Sequence, residues 1–244
     1  MPCRIFTLHG MNNANILPLS TSRYELWHCV SARSLRALWM LEELHLPCTL
    51  HMLPFPPRVH QRDFLAENPL GTVPLLVHGP ERMTESAAIC AYLTARHPEA
   101  QLQLLPHEPG YGEYLNWLFM SDATLTFPLT LVLRYTYFEK PEQRLPQVAH
   151  DYARWHLARL RSVEAQLGKS SYLCGDRFTA ADVAVGYALL LSEHLDLQPQ
   201  WGPATQAYWS RLKERPSLQA ALERERMAAI EQGIDATPSP LLRI

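Results

Sequence analysis

The chain has 244 residues, 47% of them hydrophobic and 19% charged, with a formal net charge of −2. These values describe an ordinary water-soluble globular chain, long enough for one large or two small domains. They give no reason to expect nucleic acid or an anionic membrane as partner, and no apolar run approaches the roughly 20 residues that span a bilayer. The five cysteines (Cys3, Cys29, Cys48, Cys90, Cys174) are scattered and form no CxxC pair, which argues against a disulfide framework, a redox dithiol and a zinc site. With no basic head followed by an apolar stretch at the N-terminus, a cytoplasmic location is expected.

Residues 1–22 are mixed and aperiodic and read as an N-terminal extension. From Tyr24 to Cys29 the chain alternates like a short strand. Ser31-Ala32-Arg33-Ser34 then opens a helix in which Ala37, Leu38, Leu41 and Leu44 share one face. Glu42 and Glu43 lie late in that helix, the less favourable end for acids, so tertiary partners are expected to hold them. Pro47 stops the helix, Cys48 to Leu53 reads as a second strand, and Phe55-Pro56-Pro57 begins an irregular loop. Val73-Pro74-Leu75-Leu76-Val77 reads as a strand, His78-Gly79-Pro80-Glu81 as a hairpin turn, and Thr84-Glu85-Ser86 as the start of another helix. The first hundred residues therefore spell β-α-β and then β-β-α.

Residues 101–109 read as a proline-marked linker. Beyond Tyr111 strand signals vanish, and helices are expected at about 111–138, 143–168, 180–195 and 204–231. A proline-rich tail, 236–244, closes the chain. The expected architecture is α/β plus all-α, with a mixed domain at 23–100 and a helical one at 110–235.

Three stretches carry a family resemblance. His28-Cys29-Val30-Ser31-Ala32-Arg33-Ser34 with Leu41-Glu42-Glu43-Leu44 resembles the first strand and helix of bacterial glutathione transferases. Asn68-Pro69-Leu70-Gly71-Thr72-Val73-Pro74, followed by Glu85-Ser86, is similar to that family's glutathione-binding signature. Gly175-Asp176-Arg177-Phe178-Thr179-Ala180-Ala181-Asp182 resembles the capping motif of its core helix. Together they span most of residues 24–225. The resemblance implies a thioredoxin-like N-terminal domain followed by an all-helical C-terminal domain, and a homodimer.

Physical chemistry gives each motif a role. The resemblance implies a cis bond at Val73-Pro74, and a cis bond costs about 0.5–1 kcal/mol before proline. Its bend offers the Val73 main chain to an extended tripeptide as an added strand, with Thr72 beside it. Ser86 at a helix start suits the α-carboxylate of the γ-glutamyl group, and Glu85 suits its ammonium; the competing role for Ser86 is that of a helix cap. His60 lies where the family often contacts the glycine carboxylate. Thr179 and Asp182 form a capping box with Asp in place of Glu. No phosphate loop or HExxH spacing occurs, so no metal is expected.

The expected chemistry is attack of the glutathione thiolate on a small hydrophobic electrophile. A free thiol has a pKa of about 8.5, and lowering it by about two units takes roughly 2.7 kcal/mol of preferential thiolate stabilisation. One charge-assisted hydrogen bond contributes about 1.5–3 kcal/mol and a helix N-terminus up to about 2. The resemblance places the activating group just after strand 1. Ser34 and Ser31 are the candidate hydroxyls, with Arg33 as electrostatic helper, because Ala32 stands where one class has its serine and Arg33 where another has cysteine. Either serine could instead cap the helix. The second substrate is expected against the helix carrying Tyr111, Tyr114, Trp117, Leu118, Ser121, Thr124 and Phe127. Glutathione-dependent isomerase, dehalogenase, lyase or peroxidase chemistry begins with the same thiolate. A non-catalytic glutathione-binding or interaction module is the alternative of another kind.

Overall fold

The computed structural model describes residues 23–238. The expected extension at 1–22 lies outside the described residues, as do residues 239–244 of the expected tail. Four strands form one mixed sheet in the order β2-β1-β3-β4: β1 Tyr24–His28, β2 Cys48–Met52, β3 Leu75–His78 and β4 Glu81–Met83. β1 runs parallel to β2 and antiparallel to β3, with Leu26 paired to Leu50 on one side and Leu76 on the other. The parallel pair needs a crossover, which α1 (Leu35–Glu43) supplies. Gly79 takes a positive φ in the tight β3–β4 turn.

α1 has no solvent face along Leu35–Leu41, because the sheet domain lies on one side and the helical domain on the other. Its late acids find the tertiary partners they need. Arg224 pairs with Glu42, and Arg215 and Ser217 with Glu43. Trp39 is core, with its indole N–H donating to the Ser217 hydroxyl at 3.1 Å.

The stretch after β2 is more ordered than the expected loop: α2 (Pro57–His60) and a 3₁₀ turn (Arg62–Ala66) follow a cis Phe55–Pro56 bond. Gly71 closes the next turn at φ +58, where a Cβ would sit 2.7 Å from that of Arg58. Val73–Pro74 is cis. α3 (Ser86–Arg96) completes the sheet domain.

The segment before the helical domain packs Leu102 and Leu104 into the core. α4 (Tyr111–Met120) continues through a π-helical turn (Ser121–Thr126), α5 (Phe127–Leu133) and a second π-helical turn (Arg134–Phe138). Pro128 has no N–H for the regular ladder, and in the π-helical turn before it the Thr126 hydroxyl donates to the Ser121 carbonyl at 2.6 Å. α6 (Pro146–Leu167) and α7 (Ala180–His194) follow. The single helix expected at 204–231 is in fact two, α8 (Pro203–Lys213) and α9 (Pro216–Glu231). Pro216 cannot donate to a preceding turn and instead opens α9 at its first position. The Thr179–Asp182 capping box forms as expected at the start of the buried α7.

Candidate active site

The turn between β1 and α1 is held from the far end of the chain. Ser31 sits at φ +53, which for a serine costs roughly 1–2 kcal/mol. Its N–H donates to Glu225 Oε2 at 3.0 Å and its hydroxyl to Glu225 Oε1 at 3.4 Å. Charge-assisted bonds of about 1.5–3 kcal/mol each outweigh that cost. The Ser34 hydroxyl is also turned inward, accepting the Cys29 N–H at 3.4 Å on a fully buried residue. Neither serine side chain caps α1. The main-chain N–H groups of Arg33 and Ser34 meet no acceptor among the described residues, and both stand at a helix N-terminus, where such groups receive anions.

Glu85, not Ser86, is the N-cap residue of α3, and no side chain caps the helix. The Ser86 hydroxyl instead accepts Arg36 Nη1 at 2.9 Å. Arg36 is fully buried and places every donor: Nε on the Ala184 carbonyl, Nη1 also on Asp122 at 3.1 Å, and Nη2 on the Ser121 carbonyl and the Thr126 hydroxyl. Its guanidinium also lies 4.8 Å from the centroid of the Tyr187 ring. Asp122 is subject to opposing effects. Burial pushes its pKa up, but Arg36 and then Arg33 outweigh it and hold the carboxyl below its usual range. The Arg33 and Arg36 guanidinium groups thus flank the Asp122 carboxylate beside the Ser86 hydroxyl, whose own proton remains free to donate.

Arg33, Glu85 and Asp122 line one recess of about 530 Å³ together with Ala87, Phe119 and Phe127. His60 lies in a second recess of about 220 Å³, with Val30, Leu53, Phe55 and the chain after α9. Val73 packs on the cluster of Cys29, Ala32 and Leu53, and its main chain has no hydrogen-bond partner among the described residues. Thr72 is exposed, with its carbonyl accepting Asn68 Nδ2 at 2.8 Å. Thus Arg33 and Glu85 share one recess, Ser86 joins them through Arg36, His60 belongs to another, and both serines of the turn lie beneath the surface. A larger depression of about 710 Å³ on α6 and α8, around Trp155 and Arg154, shares none of these residues.

Of the residues expected to receive a second substrate, Tyr114, Trp117, Leu118 and Ser121 are buried core. Phe127 is half exposed at the first recess, beside the exposed Phe119. Cys29 is fully buried; desolvation, and then the Glu225 charge, push its thiol pKa well up, so it is no nucleophile. Among the described residues, no group of three or more His, Cys, Asp or Glu is placed to hold a metal ion.

Sequence reasoning missed Arg36, Asp122 and Glu225. Arg36 sits one residue after Leu35 in a helix with no exposed stripe, and only its full burial reveals it. Glu225 lies in the run Glu223-Arg224-Glu225-Arg226, which reads as a solvated face.

Residues 28–101 match the model of the glutathione S-transferase N-terminal domain, and residues 127–216 that of its C-terminal domain. Glutathione S-transferase 3 of Zea mays is 33% identical over 65% of this chain and 74% of its own length. Glutathione S-transferase A of Pleuronectes platessa is 28% identical over 80% of this chain and 89% of its own. Among solved structures, a glutathione transferase from Methylococcus capsulatus superposes with a TM-score of 0.74 at 27% identity, covering 84% of this chain and 99% of its own. A sphingomonad glutathione S-transferase complexed with glutathione shares the fold, with a TM-score of 0.72 at 22% identity, covering 82% of this chain and 98% of its own. The chain belongs to the glutathione S-transferase family: it is a glutathione transferase with a thioredoxin-like N-terminal domain and an all-helical C-terminal domain.

Proposed function

We propose that the chain binds glutathione extended along the open edge of its sheet domain and conjugates the thiolate to a small hydrophobic electrophile. The γ-glutamyl carboxylate sits on Ser86 and the α3 N-terminus, with its ammonium on Glu85. The cysteinyl main chain pairs with Val73 beside Thr72 and Pro74, and the glycine end points towards His60. The thiolate rests on the free N–H of Arg33, with the Arg33 guanidinium adding positive charge. The Ser31 hydroxyl is committed to Glu225 and Ser34 is fully buried, so the main chain at Arg33, rather than either hydroxyl, supplies the hydrogen bond to sulfur. The observation that carries this reading is the Arg33 N–H, left without an acceptor at the start of α1 on a residue that lines the first recess.

The apolar walls of the first recess, Phe119 and Phe127, suit a hydrophobic electrophile; their exposure also suits a homodimer contact at its rim. The four described cysteines are free, which fits a reducing compartment, and we assign the protein to the cytoplasm. No described helix is long and apolar enough to cross a membrane. Calorimetric titration with glutathione tests the binding mode. Glu85→Ala and Ser86→Ala are each expected to weaken binding about tenfold, roughly 1.4 kcal/mol, with the fold intact. Wild-type affinity in both variants would overturn the assignment.

A further inference from the structure

Glu225 comes from the middle of α9, about two hundred residues after the turn it touches, and is only 3% exposed. Its Oε2 takes both the Ser31 N–H at 3.0 Å and the His28 imidazole Nε2 at 2.7 Å, and its Oε1 takes the Ser31 hydroxyl. A carboxylate accepting from an N–H and a hydroxyl has no proton to offer, so His28 must be the donor, through Nε2. From α7, the Tyr187 hydroxyl donates to the Ser31 carbonyl at 3.4 Å. Ser31 is thereby gripped at its N–H, its hydroxyl and its carbonyl by the helical domain alone, in a left-handed conformation that serine avoids unless held. The next two main-chain N–H groups that find no acceptor are those of Arg33 and Ser34.

We propose that Glu225 is a positioning residue for the thiolate: its carboxylate locks Ser31, and so the β1–α1 turn, in the one backbone arrangement that presents the Arg33 N–H to the glutathione sulfur. The inference rests on the binding mode proposed above. It explains why a carboxylate is buried close to a site that must favour an anion. The charge is held by Ser31 and His28, and the turn it fixes aims the Arg33 N–H. The other ionisable groups that feel Glu225 are Cys29 on the turn, and Tyr187 and His194 on α7.

The role is separable from mere packing. Glu225→Gln keeps an oxygen for the Ser31 N–H, Glu225→Asp withdraws the carboxylate by one methylene, and Glu225→Ala removes it. Each variant is titrated with glutathione, following the absorbance of the bound thiolate against pH alongside the binding affinity and far-UV circular dichroism. Glu225→Asp and Glu225→Ala are expected to raise the pKa of the bound thiol by about one unit, a tenfold loss of thiolate preference. Affinity stays within about threefold, since the γ-glutamyl contacts are untouched. Glu225→Gln is expected to restore most of the wild-type value. Should Glu225→Ala fail to fold, Glu225→Asp carries the comparison. A bound thiol that titrates as in wild type in every folded Asp or Ala variant would overturn the role of Glu225 and leave the binding mode standing. A wild-type protein that leaves the thiol unshifted would overturn both.

Discussion

Arg36 of α1 and Ser86 of α3 meet at 2.9 Å in the buried seam between the two domains, with the guanidinium giving Nη1 to the hydroxyl. The same guanidinium holds the π-helical turn through Ser121 and Thr126, and α7 through Ala184. One side chain therefore ties the anion-receptive start of α3 to the packing of the helical domain. The start of α3, where the proposed binding mode seats the γ-glutamyl group, and the domain seam are thus a single hydrogen-bonded unit.

Replacing Arg36 tests that unit. Arg36→Lys keeps the charge but cannot reach five acceptors in a planar fork. It leaves buried carbonyls unsatisfied and is expected to cost about 3–5 kcal/mol. Urea denaturation monitored by tryptophan fluorescence measures it; a loss under about 1 kcal/mol would contradict a role at the seam.

Gly186 lets α7 lie directly on α1. A Cβ there would stand 2.8 Å from Cζ3 of the rigid, buried Trp39 indole and 3.0 Å from Cδ1 of the fully buried Leu212. Gly186→Ala is expected to destabilise by about 1–3 kcal/mol through overpacking, despite alanine's better helix propensity. An unchanged or raised melting temperature would contradict this.

The capping box does more than cap. Asp182 accepts the Thr179 N–H at 2.8 Å, the Leu173 N–H at 3.0 Å and the Tyr208 hydroxyl at 2.7 Å, all in the core. Thr179→Ala is expected to lose about 1 kcal/mol, an ordinary cap. Asp182→Ala strands three buried donors and is expected to lose about 3–5 kcal/mol. Equal losses from the two variants would show that Asp182 acts only as a cap.

How much of this was legible in the residues depends on how local the cause is. The β-α-β and β-β-α order follows from alternation, turn chemistry and Pro47, and Thr179–Asp182 is a local signature whose bonds form within one turn. The break at Pro216 was passed over in expecting one helix at 204–231, although a proline at that place opens a new helix. Arg36, Asp122 and Glu225 were not. Their partners lie 50, 86, 194 and 197 positions away, and nothing in a charged residue's immediate neighbours tells a solvated position from a buried one. The partners of the two candidate hydroxyls were hidden for the same reason: a distant carboxylate takes up the Ser31 side chain and an inward-facing N–H that of Ser34.

His156 gives the fold an acid-sensitive point. It is fully buried; its Nδ1–H donates to the Leu125 carbonyl at 3.0 Å and its Nε2 accepts the Ser192 hydroxyl at 2.9 Å. Burial, only partly offset by the Leu125 bond, pulls its pKa down to about 4. A depressed histidine contributes stability that is complete above its unfolded value of about 6.5 and is lost as pH falls towards the folded one. The stability difference between wild type and His156→Gln is therefore expected to shrink by about 1.4 kcal/mol per pH unit below pH 6.5. Asp182 shifts the opposite way, raised to about 6 by burial; the part of the stability that comes from its holding a proton in the fold is lost as pH rises through that value, and the wild-type–variant difference cancels it. A difference that stays flat from pH 7 to 4.5 would contradict the assignment.

On the proposed binding mode, glutathione is held as a thiolate by the main chain at the start of α1. A pH titration of glutathione bound to the wild-type protein, read by thiolate absorbance, with Ser31→Ala and Ser34→Ala beside it, decides whether it is. The bound thiol is expected to have a pKa about two units below that of free glutathione, moved by less than half a unit in either serine variant. A bound thiol that titrates like the free tripeptide, or whose lowered pKa vanishes with one of the two hydroxyls, would contradict it.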